Sequence, residues 1–367
     1  MGFYEIYNEF KDTDFARLLK EVTVQQADRV IGENTVSETG FLQLLSPAAG
    51  ERLEPLARKA HHLTLKNFGR VIGLYTPMYL SDFCTNECVY CGFNTKNPMR
   101  RRTLSVAEVE REGRMIAGTG LRHLLILTGE APRQASVEYL AECIGRLRKY
   151  FSSVSIEVYP METAGYQTLV AAGVDGMTVY QEVYDPEIYD RLHIKGPKKN
   201  YLFRLDAPER ACQAGMRTVN LGALLGLADW RSEVFALGLH AKYLQDKYPD
   251  TEISVSFPRI RPAAGQFRPA VEVTDRELVQ MILAIRLFLP RAGITLSTRE
   301  NSDFRDNLIR LGVTKMSAGS CTEVGGRLDG DGHDGQFEIS DTRSVAEMKA
   351  AILRHGYQPV SKDWLII

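Results

Sequence analysis

The chain has 367 residues, 44% of them hydrophobic, so it can bury a large core, and its formal net charge is −1. A balance this close to neutral gives no reason to expect nucleic acid or an anionic membrane surface as partner, and no apolar stretch approaches the roughly 18 residues of a membrane span. Six cysteines are too sparse for a disulfide framework and nothing at the N-terminus reads as a secretory signal, so a soluble, cytoplasmic protein is expected.

Residues 1–70 read as a helical extension. Apolar residues recur at three- and four-residue spacing over 8–20, 24–31 and 51–68, with charges between them. From Val71 the pattern changes to short apolar runs alternating with amphipathic stretches. The runs cover 71–80, 124–127, 154–158, 176–180, 218–221, 253–257, 294–296 and 314–316. Several of the intervening helices announce their starts. Ser105 with Glu108, Thr274 with Glu277 and Ser344 with Glu347 fit capping boxes. Eight buried strands alternating with helices predict an α/β fold, a closed or slightly open (βα)8 barrel over 71–367 with a C-terminal tail. A doubly wound open sheet is the alternative, but no GxGxxG follows any run.

The cysteine run Cys84-Thr85-Asn86-Glu87-Cys88-Val89-Tyr90-Cys91 follows the first strand run. Four thiolates would close a metal site. Three on one loop can hold three irons of a [4Fe–4S] cluster and leave the fourth open to an outside ligand. A zinc site usually takes four ligands, and the nearest histidine, His123, lies well beyond the loop. Cys143 and Cys212 read as buried core thiols, and Cys321 falls in a loop of undecided role. The spacing resembles the CxxxCxΦC signature of the radical S-adenosylmethionine (SAM) superfamily, where Φ is aromatic.

Barrel chemistry lies at the C-terminal ends of the strands. Every run here closes on polar residues, among them Thr128-Gly129-Glu130, Glu157-Val158-Tyr159-Pro160, Tyr180-Gln181-Glu182 and Ser297-Thr298-Arg299-Glu300. SAM offers an ammonium, a carboxylate, a ribose diol and an adenine. Glu130 suits the ammonium, Arg204 the carboxylate and Glu182 the ribose hydroxyls, while the backbone from Tyr90 to Phe93 suits the adenine edge. Taken singly, Glu130 reads better as a helix N-terminal charge and Arg204 as a helix-surface ion pair; following a three-cysteine loop, the ligand roles become the better reading.

Several runs together resemble one subgroup of that superfamily, the aromatic-amino-acid lyases. They include Tyr75-Thr76-Pro77-Met78-Tyr79-Leu80-Ser81, Cys91-Gly92-Phe93, Leu127-Thr128-Gly129-Glu130, Val179-Tyr180-Gln181-Glu182 and Ser254-Val255-Ser256-Phe257-Pro258-Arg259. Leu296-Ser297-Thr298-Arg299-Glu300 and Lys362-Asp363-Trp364 complete the set. The likeness points to the tyrosine-cleaving branch that serves thiamine thiazole synthesis. It implies a [4Fe–4S] cluster on Cys84, Cys88 and Cys91, reduced by flavodoxin or ferredoxin, and SAM cleaved to methionine and a 5′-deoxyadenosyl radical. That radical would take a hydrogen atom from the amino group of L-tyrosine, and Cα–Cβ cleavage would give p-cresol and 2-iminoacetate for a thiazole synthase subunit. Arg299 and Ser297 would hold the substrate carboxylate; the alternative for Arg299 is a rim salt bridge with Glu300 or Asp303. A tryptophan lyase of the same group and a non-catalytic iron–sulfur redox or sensor protein are the competing readings. No cysteine follows Cys321, so the second-cluster chemistry of a hydrogenase maturase lacks its ligands. At Cys321 itself an Arg or Lys often stands in the group, so no role is carried over to it.

Overall fold

Eight parallel strands close on themselves in the computed structural model, which describes residues 2–10, 12–265, 267–328 and 335–362. They are β1 (Val71–Ser81), β2 (His123–Thr128), β3 (Ser153–Glu157), β4 (Gly176–Glu182), β5 (Thr218–Ala223), β6 (Glu252–Ser256), β7 (Gly293–Leu296) and β8 (Lys315–Ser317). Neighbours pair in chain order, and β1 pairs with both β2 and β8 to shut the barrel. Each of the eight apolar runs is a strand. The three expected capping boxes form: each hydroxyl accepts the backbone amide of its glutamate partner, and each glutamate carboxylate accepts the backbone amide of the capping Ser or Thr. A fourth joins Thr23 and Gln26. Asp363 and Trp364 lie outside the described residues.

One short strand was not expected. β9 (Gln358–Val360) pairs with Val71–Gly73, below the point where β2 joins β1 at Thr76. Three residues carry no periodicity to read; the length of β1 leaves a free edge there, and β9 covers it.

The N-terminal segment differs from the expected pattern in its breaks. The stretch 8–20 is helical only in its second half: one helix, Phe3–Asn8, ends where the stretch begins, and the next, Phe15–Glu21, starts at Asp14, whose carboxylate caps it by accepting the Arg17 amide at 3.0 Å. Two further short helices, Glu38–Leu44 and Pro47–Gly50, are capped by Ser37 and Ser46. These helices pack on the flank of the barrel. Phe41 stacks on Phe288 with ring centroids 4.3 Å apart, and Gln280 donates to the carbonyls of Leu44 and Ser46.

The pleat of each strand divides core from lumen. On β3, Val154 and Ile156 are fully buried among the helices, whereas Ser155 and Glu157 line internal cavities. The lumen is polar: Asn220 bonds Ser254 and Ser256 at 2.9 Å, and His123 bonds Ser155 at 3.0 Å. A layered aliphatic fill is the commoner arrangement in such barrels. Here the inward positions leave open space inside the barrel and at its C-terminal mouth.

Candidate active site

The cysteine loop leaves β1 and is pinned at the mouth by a partner segment before β5. The amides of Glu87 and Val89 donate to the carbonyls of Lys195 and Leu192 at 2.9 and 3.1 Å. Gly129, at the end of β2, allows the other side of the loop to dock. A Cβ there would come within 2.3 Å of the Phe83 carbonyl oxygen and 3.2 Å of the Cys84 Cβ. All three loop thiols are free. Burial pushes the Cys88 thiol up to about 12 and raises Cys91 as well, so their protons leave only to something strongly positive, such as iron.

Glu130, Glu182 and Arg204 come together beside this loop. Asn86, between the first two cysteines, donates to the Glu130 carboxylate at 2.7 Å and accepts the Lys198 amide at 2.9 Å. The Lys198 ammonium meets Glu182 at 2.6 Å, and Arg204 meets the same oxygen at 3.4 Å while donating to the Tyr180 carbonyl at 2.8 Å. Glu182 adopts φ 72°, alone among the described non-glycine residues in being left-handed. That conformation costs on the order of 1–3 kcal/mol and turns the carboxylate back over the mouth. The register of β4 against β5 shifts at the same place.

Tyr90 lines the cavity, and its hydroxyl lies 2.7 Å from His193 Nε2. His193 Nδ1 faces the Tyr189 carbonyl at 2.7 Å and therefore carries the proton, so Nε2 accepts from Tyr90. The Phe93 ring, by contrast, packs edge-on against Tyr79 in the core, and its carbonyl accepts from Arg101 at 3.1 Å. Only its amide, which lies against the Cys91 sulfur, faces the site.

Two adjoining cavities run from the loop into the lumen. The upper has about 550 Å³ of empty space and is lined by Tyr90, Cys91, Glu182 and Lys198; the lower has about 470 Å³ and is lined by Tyr75, Leu127, Ser297 and Ser320. Glu157, Tyr180, Arg299, Gln336 and Phe337 line both. Arg299 makes no ion pair among the described residues. Its guanidinium lies 3.5 Å over the Phe337 ring and donates to the Arg259 carbonyl at 3.3 Å, while Ser297 accepts the Arg299 amide at 3.4 Å. Arg259 takes Glu300, which removes that rim salt bridge.

Residues 78–236 match the Radical SAM superfamily, and residues 256–358 match the Biotin and Thiamin Synthesis associated domain. The chain is 38% identical to 2-iminoacetate synthase of Salmonella typhimurium over 99% of its length and 96% of that protein's. It is 40% identical to 2-iminoacetate synthase of Escherichia coli over 96% of its length and 94% of that protein's. The chain belongs to the 2-iminoacetate synthase family. Among solved structures, the FeFe-hydrogenase maturase HydG from Carboxydothermus hydrogenoformans superposes with a TM-score of 0.83 at 31% identity, covering 97% of this chain and 82% of that one.

As a radical-SAM enzyme of the 2-iminoacetate synthase family, the protein uses a [4Fe–4S] cluster and SAM. The residues present fit both. Three thiols stand on one loop, and among the described residues no three His, Cys, Asp or Glu side chains converge on a single ion. A cluster that takes each thiolate on a different iron needs no such convergence. Asn86, Lys198 and Glu157 had no role assigned from the sequence. Lys198 sits in a lysine-rich Gly-Pro turn that reads as solvated surface, and Asn86 is hidden between two cysteines. Glu157 was visible as a strand end, but nothing local distinguished it from the other seven.

Proposed function

We propose that the protein cleaves the Cα–Cβ bond of L-tyrosine to p-cresol and 2-iminoacetate, the precursor consumed in thiamine thiazole synthesis. The observation that carries this is Arg299: a guanidinium without an ion pair among the described residues, in a cavity continuous with the cysteine loop. Cys84, Cys88 and Cys91 would hold the cluster, which with SAM bound would supply a 5′-deoxyadenosyl radical. Glu130 binds the SAM ammonium, Arg204 its carboxylate and Glu182 its ribose, with Lys198 holding Glu182 in place and the backbone from Tyr90 to Phe93 meeting the adenine. Arg299 and Ser297 grip the tyrosine carboxylate, fixing the amino group toward the upper cavity. Tyr75, Leu127 and Phe337 wall the lower cavity and exclude water around the bond that breaks. The electron donor is reduced flavodoxin or ferredoxin, the partner a thiazole synthase subunit, and the setting the cytoplasm.

The test is anaerobic reconstitution with dithionite, SAM and a panel of amino acids, with products read by mass spectrometry. L-Tyrosine should give p-cresol, 5′-deoxyadenosine and glyoxylate, the last by hydrolysis of the imine. Cleavage of tryptophan but not tyrosine would move the specificity to the sister activity. Absence of SAM turnover with any amino acid would leave a redox or sensor protein.

A further inference from the structure

Tyrosine cleavage needs a group that none of the roles above supplies. In neutral water an amino acid carries an ammonium, and taking a hydrogen atom from it leaves a positively charged aminium radical. The neutral aminyl radical formed from a free amine is less costly. The nitrogen must therefore lose a proton first, to a base lying in the cavity that also holds the carboxylate anchor.

The titratable groups around that cavity narrow quickly. Arg299, Arg261 and Lys198 are cations, and Glu182 is committed to Lys198 and Arg204. Burial raises the tyrosines Tyr75, Tyr79, Tyr90 and Tyr180 out of the accessible range. Glu157 remains. Its carboxylate makes no hydrogen bond or ion pair among the described residues, is half-buried, and lines both cavities together with Arg299. It ends β3 beside Leu127, and the pleat that points Ser155 into the lumen points Glu157 the same way.

We propose that Glu157 accepts the proton that the substrate's ammonium loses before its N–H bond is attacked, an assignment that rests on the lyase reading above. One N–H bond breaks with its electron pair left on nitrogen, and an O–H bond forms on Glu157. Ammonium becomes amine, carboxylate becomes carboxylic acid, and nothing is oxidised or reduced. The proton passes to the departing imine or to water when product leaves.

The surroundings suit a base. Burial raises the Glu157 carboxyl first and Glu182 raises it further, against the pull of Arg299, Arg204 and Lys198, to about 7. The groups facing it are Tyr75 and Tyr79 from β1, Tyr180 and Glu182 from β4, Lys198 and Arg204 before β5, Arg261 after β6 and Arg299 after β7. A carboxylate titrating near neutrality takes a proton far more readily than an ordinary one, and it is still ionised in mildly alkaline solution.

The experiment compares reconstituted parent, Glu157→Gln and Glu157→Asp across pH, using L-tyrosine or whichever aromatic amino acid the parent is found to cleave. A parent that cleaves another amino acid overturns the tyrosine reading and leaves this test intact, because every α-amino acid carries the same ammonium. In the parent, kcat/KM should rise with pH through about 7. Near neutral pH, Glu157→Gln should form product about 100-fold more slowly while binding SAM with parental affinity. Its rate should climb about tenfold per pH unit as solution takes over the deprotonation, and Glu157→Asp should recover much of the loss. A Glu157→Gln variant with the parental rate, or with a loss that does not change with pH, would overturn the assignment. So would rescue of Glu157→Gln by 3-fluorotyrosine, whose more acidic phenol would place the base at the other end of the substrate.

Discussion

Arg299 shows why identity matters at a single position. A guanidinium offers two parallel donors and fixes both the place and the orientation of a carboxylate, whereas an ammonium fixes place alone. Arg299→Lys should therefore keep cluster content and SAM affinity but lower product formed per SAM cleaved severalfold, because a loosely held substrate lets the radical be quenched elsewhere. Equal coupling in variant and parent would return Arg299 to a packing role over Phe337. Glu130 invites a different measurement. Losing a charged partner in a dehydrated site costs on the order of 2–5 kcal/mol, so Glu130→Ala should weaken SAM binding at least tens-fold by equilibrium titration. Both residues could be read in the sequence because each ends a strand run. Lys198 could not, because its partners Asn86 and Glu182 lie 112 and 16 residues away and only the closed barrel brings them together.

At the scale of elements, eight strands were legible because each is a short, continuously apolar run, and three helix starts because a capping box is written within four residues. The break between the first two helices and the strand β9 were not, since one depends on a single aspartate cap and the other on a vacant edge of β1. The contact between β2 and the cysteine loop belongs to this scale too. A methyl group on residue 129 would lie 2.3 Å from the Phe83 carbonyl, so the loop would have to move away from the strand. Gly129→Ala is therefore expected to retain the barrel's far-ultraviolet circular dichroism while losing most of its iron and labile sulfide after reconstitution. Parental iron content would show that the loop can shift without cost. Cys88→Ala should give the same spectrum with SAM cleavage abolished, because the cluster is bound by a loop and the core is formed without it.

For the whole molecule, the N-terminal helix closes over two buried titratable groups whose effects on stability oppose each other. Phe3 stacks on His240 with centroids 4.0 Å apart, and Glu233 accepts the amides of Tyr184 and Asp185 at 2.6 and 3.2 Å. Burial pushes the Glu233 carboxyl from 4.5 up to about 8 and the His240 imidazole from 6.5 down to about 3. Between pH 4.5 and 8 the folded protein holds a proton on Glu233 that the unfolded chain releases, so stability falls as pH rises through that window. Between pH 3 and 6.5 the unfolded chain binds a proton on His240 that the folded protein refuses, so stability rises with pH there. The two slopes cancel where the windows overlap, from 4.5 to 6.5, and only the falling limb remains from 6.5 to 8. Scanning calorimetry of the reconstituted protein should therefore show a melting temperature that is level over the overlap and declines above it. Glu233→Gln should remove most of the decline between pH 6.5 and 8, leaving only the part that Glu157 contributes up to about 7, and His240→Phe should extend the decline down to 4.5. A decline of unchanged slope in Glu233→Gln would mean that the pH dependence originates elsewhere in the fold.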